Sequence, residues 1–266
     1  MTSTVYAIGD VHGRSDLLAR MIKFIREHSQ RFEGEPRVFF LGDIVDRGPD
    51  SCGAMKIVCE TLRCWPRSRL LLGNHDLFFR DAMTKQNFVR HWLENGGLAT
   101  LRSYIGDYPD YSLDEMIEIG ERFPDHLNAL RDAPIILPIG RYVFVHAGID
   151  PSVPLSDQDL NVCLQARTKF TEHIGLLSHV VVHGHTPLDP PRPVITENRI
   201  SLDTNAYHSG VLSMAVIDTE RDDVELFSTA EDGFVRSVAP VLLNRGLGTA
   251  WTTTVRNSGS TSSVAA

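Results

Sequence analysis

The sequence predicts an α/β fold, and three observations predict it. Short apolar runs rich in Val, Ile and Phe recur along the 266 residues, each stopping at a polar or glycine turn. A segment of helical period separates the first two runs. The side chain that follows each run is repeatedly Asp, Asn or His. Short apolar runs without polar alternation fit strands buried on both faces, and strand–helix–strand order marks an α/β architecture.

Taken in order, residues 5–8 form the first strand and run into Gly9-Asp10. A helix follows, with Ser15 or Asp16 as N-cap and Leu17, Leu18, Met21, Ile22 and Ile25 on one face. Residues 38–41 run into Gly42-Asp43, and residues 69–72 into Gly73-Asn74. Residues 77–135 change character: Phe78, Phe79, Ala82 and Met83 keep helical spacing, and the stretch reads as a mostly helical insertion lying over the strand ends. Residues 142–145 then run into His146, residues 180–182 into His183-Gly184-His185, and residues 200–202 into Asp203. Residues 214–217, 224–227 and 234–241 read as closing strands. The chain from 1 to 243 reads as one domain. Residues 244–266, polar and low in complexity, read as a disordered tail. Ligands of open α/β sheets collect outside the carboxyl ends of strands, so the recurrent Asp, Asn and His residues outline a site.

Composition limits the function. With 26 Lys plus Arg against 34 Asp plus Glu, a net charge of −8 and no long basic run, the chain lacks the clustered positive charge that binds a nucleic-acid polymer. Apolar residues make up 42%, ordinary for a globular protein. No stretch approaches the roughly 18 consecutive apolar residues of a membrane span. The start has no basic segment before its apolar run and reads as a strand rather than a signal peptide. Cys52, Cys59, Cys64 and Cys163 show no Cys-x-x-Cys spacing, so reduced thiols in a cytoplasmic protein are expected.

Each motif alone also fits a plain structural role. Gly9-Asp10-Val11-His12-Gly13 fits a turn with a capping carboxylate, Gly42-Asp43-Ile44-Val45-Asp46-Arg47-Gly48 a surface turn with an ion pair, and Gly73-Asn74-His75-Asp76 a helix start. His146 and His185 alone fit buried structural histidines. In this order, each after a strand, the set resembles the calcineurin-like metallophosphoesterase superfamily. Asp46-Arg47-Gly48 and Gly184-His185-Thr186 bring the resemblance to its bacterial-type phosphoprotein phosphatases, close also to the symmetrical dinucleoside tetraphosphatases. The motifs span residues 5–218.

The resemblance implies two mixed β-sheets packed as a sandwich, flanked by helices, with 1–243 as the catalytic domain. It implies hydrolysis of a phosphoester by direct attack of water activated on two divalent metal ions, which also clamp the phosphoryl group. Oxygen and imidazole ligands without thiolates suit Mn²⁺, with Fe or Zn²⁺ as alternatives. Carried over residue by residue, Asp10, His12 and Asp43 bind the first metal. Asp43 bridges to the second, which Asn74, His146 and His185 complete. Arg47 offers a bidentate fork to phosphate, and Asn74 touches substrate as well as metal. Arg167, within Gln165-Ala166-Arg167-Thr168-Lys169-Phe170, resembles the family's second phosphate arginine, with Arg141 and Arg192 as alternatives. His75 protonates the leaving alkoxide and Asp46 holds His75. Asp76 and Asp203 are expected to organise the site by hydrogen bonding rather than touch substrate. His183 is set aside, because in this superfamily the histidine directly after glycine is the ligand.

Asp46 and Thr186 favour a serine/threonine protein phosphatase, as does Trp92-Leu93-Glu94-Asn95-Gly96-Gly97. Asp76-Leu77 echoes the dinucleoside tetraphosphatases. A shallow site suits a phosphorylated protein or small phosphoester, a deep one a nucleotide. A non-catalytic phosphate-binding module is disfavoured, because a degenerate scaffold loses ligands or its acid, and here none is missing.

Overall fold

The computed structural model describes residues 3–84, 89–107, 113–242, 252–257 and 260–265, with side chains described for residues 3–84, 89–107 and 116–242. In chain order the first elements are β1 (Thr4–Ile8), α1 (Ser15–His28), β2 (Arg37–Phe40), α2 (Ser51–Cys64) and β3 (Arg69–Leu70). Helices α3 (Asn74–Ala82), α4 (Val89–Trp92), α5 (Leu98–Ile105), α6 (Leu113–Arg122) and α7 (Pro124–Arg131) follow, with a π turn over Leu93–Gly97 joining α4 to α5. Then come β4 (Ile136–Ile139), β5 (Tyr142–Val145), the short helices α8 (Leu160–Gln165) and α9 (Thr168–Thr171), β6 (Val180–His183), β7 (Val194–Ile195) and β8 (Arg199–Ser201). The chain continues through α10 (Ala206–Ser209), β9 (Ser213–Asp218), β10 (Asp223–Thr229), β11 (Val235–Ser237), β12 (Val241–Leu242), β13 (Thr252–Asn257) and β14 (Ser260–Ala265).

Two mixed sheets result. One has the order β14-β13-β10-β9-β1-β2-β3, with β11 also on β10, and the other the order β12-β7-β8-β6-β5-β4. β1, β2 and β3 are parallel, as are β5, β6 and β8, while β9 runs antiparallel beside β1. Successive side chains of a strand point to opposite faces, and β1 shows the consequence. Val5 and Ala7 enter the layer between the sheets with Phe39, Leu41, Phe144, Val182 and Ile217. Tyr6 and Ile8 face the helical layer with Leu18, Met21, Met55 and Phe79. Phe39 and Phe144 meet edge to face across the sandwich, with ring centroids 5.0 Å apart. A smaller cluster of Val145, Val181, Cys163 and Phe170 covers the outer face of the second sheet. Among the described residues no helix is long and apolar enough to cross a membrane.

Several expectations shift. Helix α1 begins at Ser15 with Arg14 in the cap position and no side-chain cap bond, because the Ser15 hydroxyl donates to Asp50 Oδ2 at 2.6 Å and Asp16 pairs with Arg14. Asp50 instead caps α2 by accepting from the Gly53 N–H at 2.8 Å. β3 stops at Leu70, since the Leu72 N–H turns to the Pro134 carbonyl. The run expected over 234–241 divides, with β11 on the first sheet and β12 on the second. The tail expected to be disordered contains a hairpin: β14 pairs with β13, which joins β10 in parallel. The β-branched Thr252-Thr253-Thr254-Val255 run carries that strand signal. The remainder of 243–266 lies outside the described residues, as do residues 85–88 and 108–112 of the insertion.

Candidate active site

Asp10 and His12 follow β1, Asp43 follows β2, Asn74 follows β3, His146 follows β5 and His185 follows β6. Both sheets therefore deliver polar side chains to one edge of the sandwich. All six are buried. Close approach is secured by glycine: a Cβ at Gly184 would overlap the Asp10 carboxylate, and one at Gly73 would overlap Asp43.

Backbone carbonyls orient the imidazoles. His12 Nδ1 stands 2.8 Å from the Val45 carbonyl and His146 Nδ1 2.8 Å from the Leu41 carbonyl. A carbonyl only accepts, so both Nδ1 atoms carry a proton and both Nε2 atoms face the site. Asp43 Oδ2 lies 3.5 Å from His12 Nε2 and 3.4 Å from His146 Nε2, between the two rings, while Oδ1 accepts the His75 N–H at 2.9 Å. Asn74 Oδ1 is 3.0 Å from His146 Nε2. Buried His185 Nε2 has no hydrogen-bond partner. Among the described residues, two donor triplets lie within 4.8 Å: His12, Asp43 and His75, and Asp43, His146 and His185. These nitrogen and oxygen donors, sharing Asp43 and including an orphaned buried imidazole nitrogen, fit a pair of divalent cations. Asp10 joins neither triplet, and both its carboxylate oxygens accept the His185 N–H, at 3.2 and 3.1 Å.

Next to the triplets, His75 Nδ1 meets Asp46 Oδ2 at 2.8 Å. Trp92 Nε1 donates to both Asp46 oxygens at 2.9 and 3.0 Å, and Thr100 Oγ1 donates to Oδ1 at 2.7 Å. Arg47 spans the site, with Nη1 2.9 Å from His12 Nε2 and Nη2 2.9 Å from His75 Nε2, and its guanidinium 5.3 Å from the Tyr207 ring centre. Asp76 is fully buried and ties the β2 and β3 turns together, accepting the Ile44 N–H at 2.9 Å and the Gly73 N–H at 3.2 Å.

The electrostatics follow from burial against these partners. Burial alone raises a carboxylate's pKa, but at Asp43 the imidazoles of His146, His75 and His12 outweigh it and hold the group well below its usual range. Burial opposes a charge on His146, yet Asp43 overrides it and pushes the ring up to about 10. His75 moves up in the same way, with Asp43 and Asp46 overcoming burial. Burial, with Asp43 opposing, keeps His12 down at about 3, and burial with the neighbouring His146 does the same to His185. Burial pushes Asp46 up, and pushes Asp76 up to about 7.

A cavity of about 330 Å³ opens over Asp43, Asn74, His75 and His185. Arg47 and Arg167 line it, with Phe78, His91 and Asn95 from the helical insertion and Gln165 and Pro187 opposite. The alternatives to Arg167 are engaged elsewhere: Arg141 pairs with Asp222 at 2.8 Å and Arg192 donates to the Ala239 carbonyl. His183 turns its ring away, to Ser201 at 2.8 Å and to Phe170. The sequence reading gave Phe78 only a helical spacing, held His91 to be structural or exposed, and did not assign Thr100 or the indole of Trp92 to the site. Only Trp92 carried a signal, through the motif Trp92-Leu93-Glu94-Asn95-Gly96-Gly97.

Comparison with known proteins agrees with this geometry. Residues 3–226 match the sequence profile of the calcineurin-like phosphoesterases. A serine/threonine-protein phosphatase 1 of Salmonella typhimurium is 31% identical over 221 residues, 80% of this chain and 91% of its own length. A symmetrical bis(5'-nucleosyl)-tetraphosphatase of Methylococcus capsulatus is 32% identical over 149 residues, 56% of this chain and 44% of its own. The match thus spans less than half of that relative's length. A crystal structure provisionally named a diadenosine tetraphosphatase superposes with a TM-score of 0.55 at 22% identity, covering 90% of this chain and 95% of that one, a likeness of fold.

Proposed function

The chain belongs to the calcineurin-like phosphoesterase family, and from that premise we propose that it is a metal-dependent protein phosphatase acting on phosphoserine and phosphothreonine. The observation that carries this reading is the Asp46–His75 pair opening, beside the two donor triplets, onto a cavity lined by Arg47 and Arg167.

Asp10, His12 and Asp43 would hold one divalent ion and Asp43, Asn74, His146 and His185 a second, with manganese the favoured metal and iron or zinc the alternatives. When bound, the ions neutralise phosphoryl charge and lower the pKa of water. The chain's own groups do the rest. Arg47 presents a planar fork, and Arg167 faces the same space, so that two cations bracket the phosphoryl oxygens. The Asn74 amide reaches substrate as well as metal. His75, on α3, gives a proton from Nε2 to the leaving alkoxide, and Asp46 accepts its Nδ1–H and fixes the ring's orientation. The Asp46 carboxylate, 2.8 Å from Nδ1, favours the protonated form this role needs. With every one of these groups in place, a non-catalytic phosphate-binding module is the weaker account.

Cavity size supports a protein substrate. A volume of about 330 Å³ lies at the lower end of the roughly 300–1,000 Å³ of small-molecule pockets. It suits one phosphorylated side chain better than four phosphates and two nucleosides. The second reading, a symmetrical dinucleoside tetraphosphatase, draws on Asp76-Leu77 and on the Methylococcus relative. The test is phosphate release by Mn²⁺-loaded protein from phosphoserine and phosphothreonine peptides and from diadenosine tetraphosphate in parallel. Higher kcat/KM on the peptides is expected. The opposite order overturns the reading in favour of the nucleotide.

A further inference from the structure

The Asp46 carboxylate is fully buried, and apart from His75 the side chains that donate to it belong to the helical insertion. Trp92 Nε1, at the end of α4, reaches both oxygens at 2.9 and 3.0 Å, and Thr100 Oγ1, on α5, reaches Oδ1 at 2.7 Å. Thr100 has one hydroxyl proton and gives it to Asp46. Ser51 Oγ, 2.9 Å from Thr100 Oγ1, is therefore the donor in that contact and extends the chain one group further. The Asp46 N–H meets the same two hydroxyls, Ser51 at 3.0 Å and Thr100 at 2.9 Å. The next residue is held from the same segment, since the Arg47 N–H donates to the Gly96 carbonyl at 3.2 Å. Trp92 is itself immobilised. Its ring stacks on Phe79 at 5.4 Å, and the close approach of Gly97 leaves no room there for a Cβ.

We propose that Trp92 and Thr100 are positioning residues that act through Asp46 on the proton-donating imidazole of His75. The helical insertion is then part of the catalytic apparatus and not only a wall of the cavity. The physical reason is that a buried carboxylate needs every lone pair facing the protein to be satisfied. With the indole and hydroxyl in place, one oxygen lone pair is left in one direction, and His75 Nδ1–H takes it. Without them the carboxylate has several ways to turn, and Nε2 loses its fixed aim at the leaving oxygen. This inference rests on the reading of His75 as the acid.

Leaving-group dependence separates a positioning role from a merely structural one. A serine alkoxide must be protonated as it leaves, whereas 2,4-dinitrophenolate leaves without a proton. Trp92→Phe keeps the stacked ring and removes the N–H. Thr100→Val keeps the shape and removes the hydroxyl, and Thr100→Ser restores it. Trp92→Phe and Thr100→Val are each expected to lower kcat on a phosphoserine peptide about tenfold, the scale of one hydrogen bond to a charged group, with KM unchanged. On 2,4-dinitrophenyl phosphate the same variants are expected to stay within about twofold of the parent, because general-acid assistance is not needed there. Thr100→Ser should return the peptide activity. Equal losses on both substrates, or no loss on the peptide, overturn the proposal. Thr100→Val decides the matter alone if Trp92→Phe does not fold. His75→Asn is the reference. If it loses both substrates equally, the acid assignment itself has failed, a result distinct from failure of the positioning residues alone.

Discussion

Five non-glycine residues of the site hold φ in the left-handed region: His12 at 44°, Asp43 at 51°, Asp46 at 73°, Arg47 at 68° and His185 at 63°. Such a conformation costs on the order of 1–3 kcal/mol for each residue and persists only where its surroundings over-determine it. The surroundings here are visible. The backbone N–H of His12 donates to the Asp43 carbonyl at 2.9 Å, and the Asp46 N–H is met by two hydroxyls. Asn tolerates this region as well as Asp does, so Asp43→Asn keeps the backbone while removing the shared charge. The expected outcome is a metal-free protein with an unchanged circular dichroism spectrum and the melting point of the chelated parent. Metal analysis after Mn²⁺ loading should show loss of bound metal, together with loss of activity. Full metal content in that variant would remove Asp43 from the proposed ligand set.

Among the elements, two helices end against the same kind of buried contact. His28, closing α1, faces the Tyr6 hydroxyl at 3.1 Å, and His126, on α7, faces the Tyr104 hydroxyl at 2.7 Å. Burial, helped by Arg31 at His28 and by Lys56 at His126, pushes both rings down to about 4. Both must be neutral in the fold. Above the unfolded value of about 6.5 nothing is lost. As pH falls from there towards 4, the unfolded chain takes up protons that the folded one refuses, and stability drops by about 3 kcal/mol at most for each ring. Urea midpoints measured from pH 7 to pH 4 should fall, and His126→Gln should flatten that fall. An identical slope in the variant would show that His126 titrates normally. Elements of this kind were only partly legible. β1, β2, β5, β6 and β8 stood out because both of their faces are buried, leaving apolar runs. β4 is apolar but interrupted by Pro138 and only partly buried, β7 has two residues, and β13 lies in a Thr- and Ser-rich stretch, so none was read as a strand. The motif residues were readable because each sits within a few positions of a strand end. Trp92 and Thr100 act on Asp46 from 46 and 54 positions away, a relation no local pattern encodes.

For the molecule as a whole, the proposed ligand set crosses the sandwich. Asp10, His12, Asp43 and Asn74 follow strands of one sheet, and His146 and His185 follow strands of the other. Ions bound there join the two sheets at their shared edge and favour only the folded state. Binding to the folded state alone stabilises by about 2.7 kcal/mol at a ligand concentration 100 times Kd. Chelation is therefore expected to lower the melting temperature by several degrees, and Mn²⁺ to restore it, with a smaller response in His185→Ala. A melting temperature indifferent to chelation would disconnect the site from the packing of the two sheets.

The same division has a consequence for synthesis on the ribosome. The first four of these residues emerge early, but His146 and His185 follow the whole helical insertion, and β9, the second neighbour of β1, comes later still at Ser213–Asp218. A nascent chain paused between α3 and β4 carries four of the six proposed ligands and no second sheet to hold the rest. Hydrolytic competence thus arrives late in translation, and incomplete chains, however long they linger, carry no premature and unguarded phosphoesterase activity.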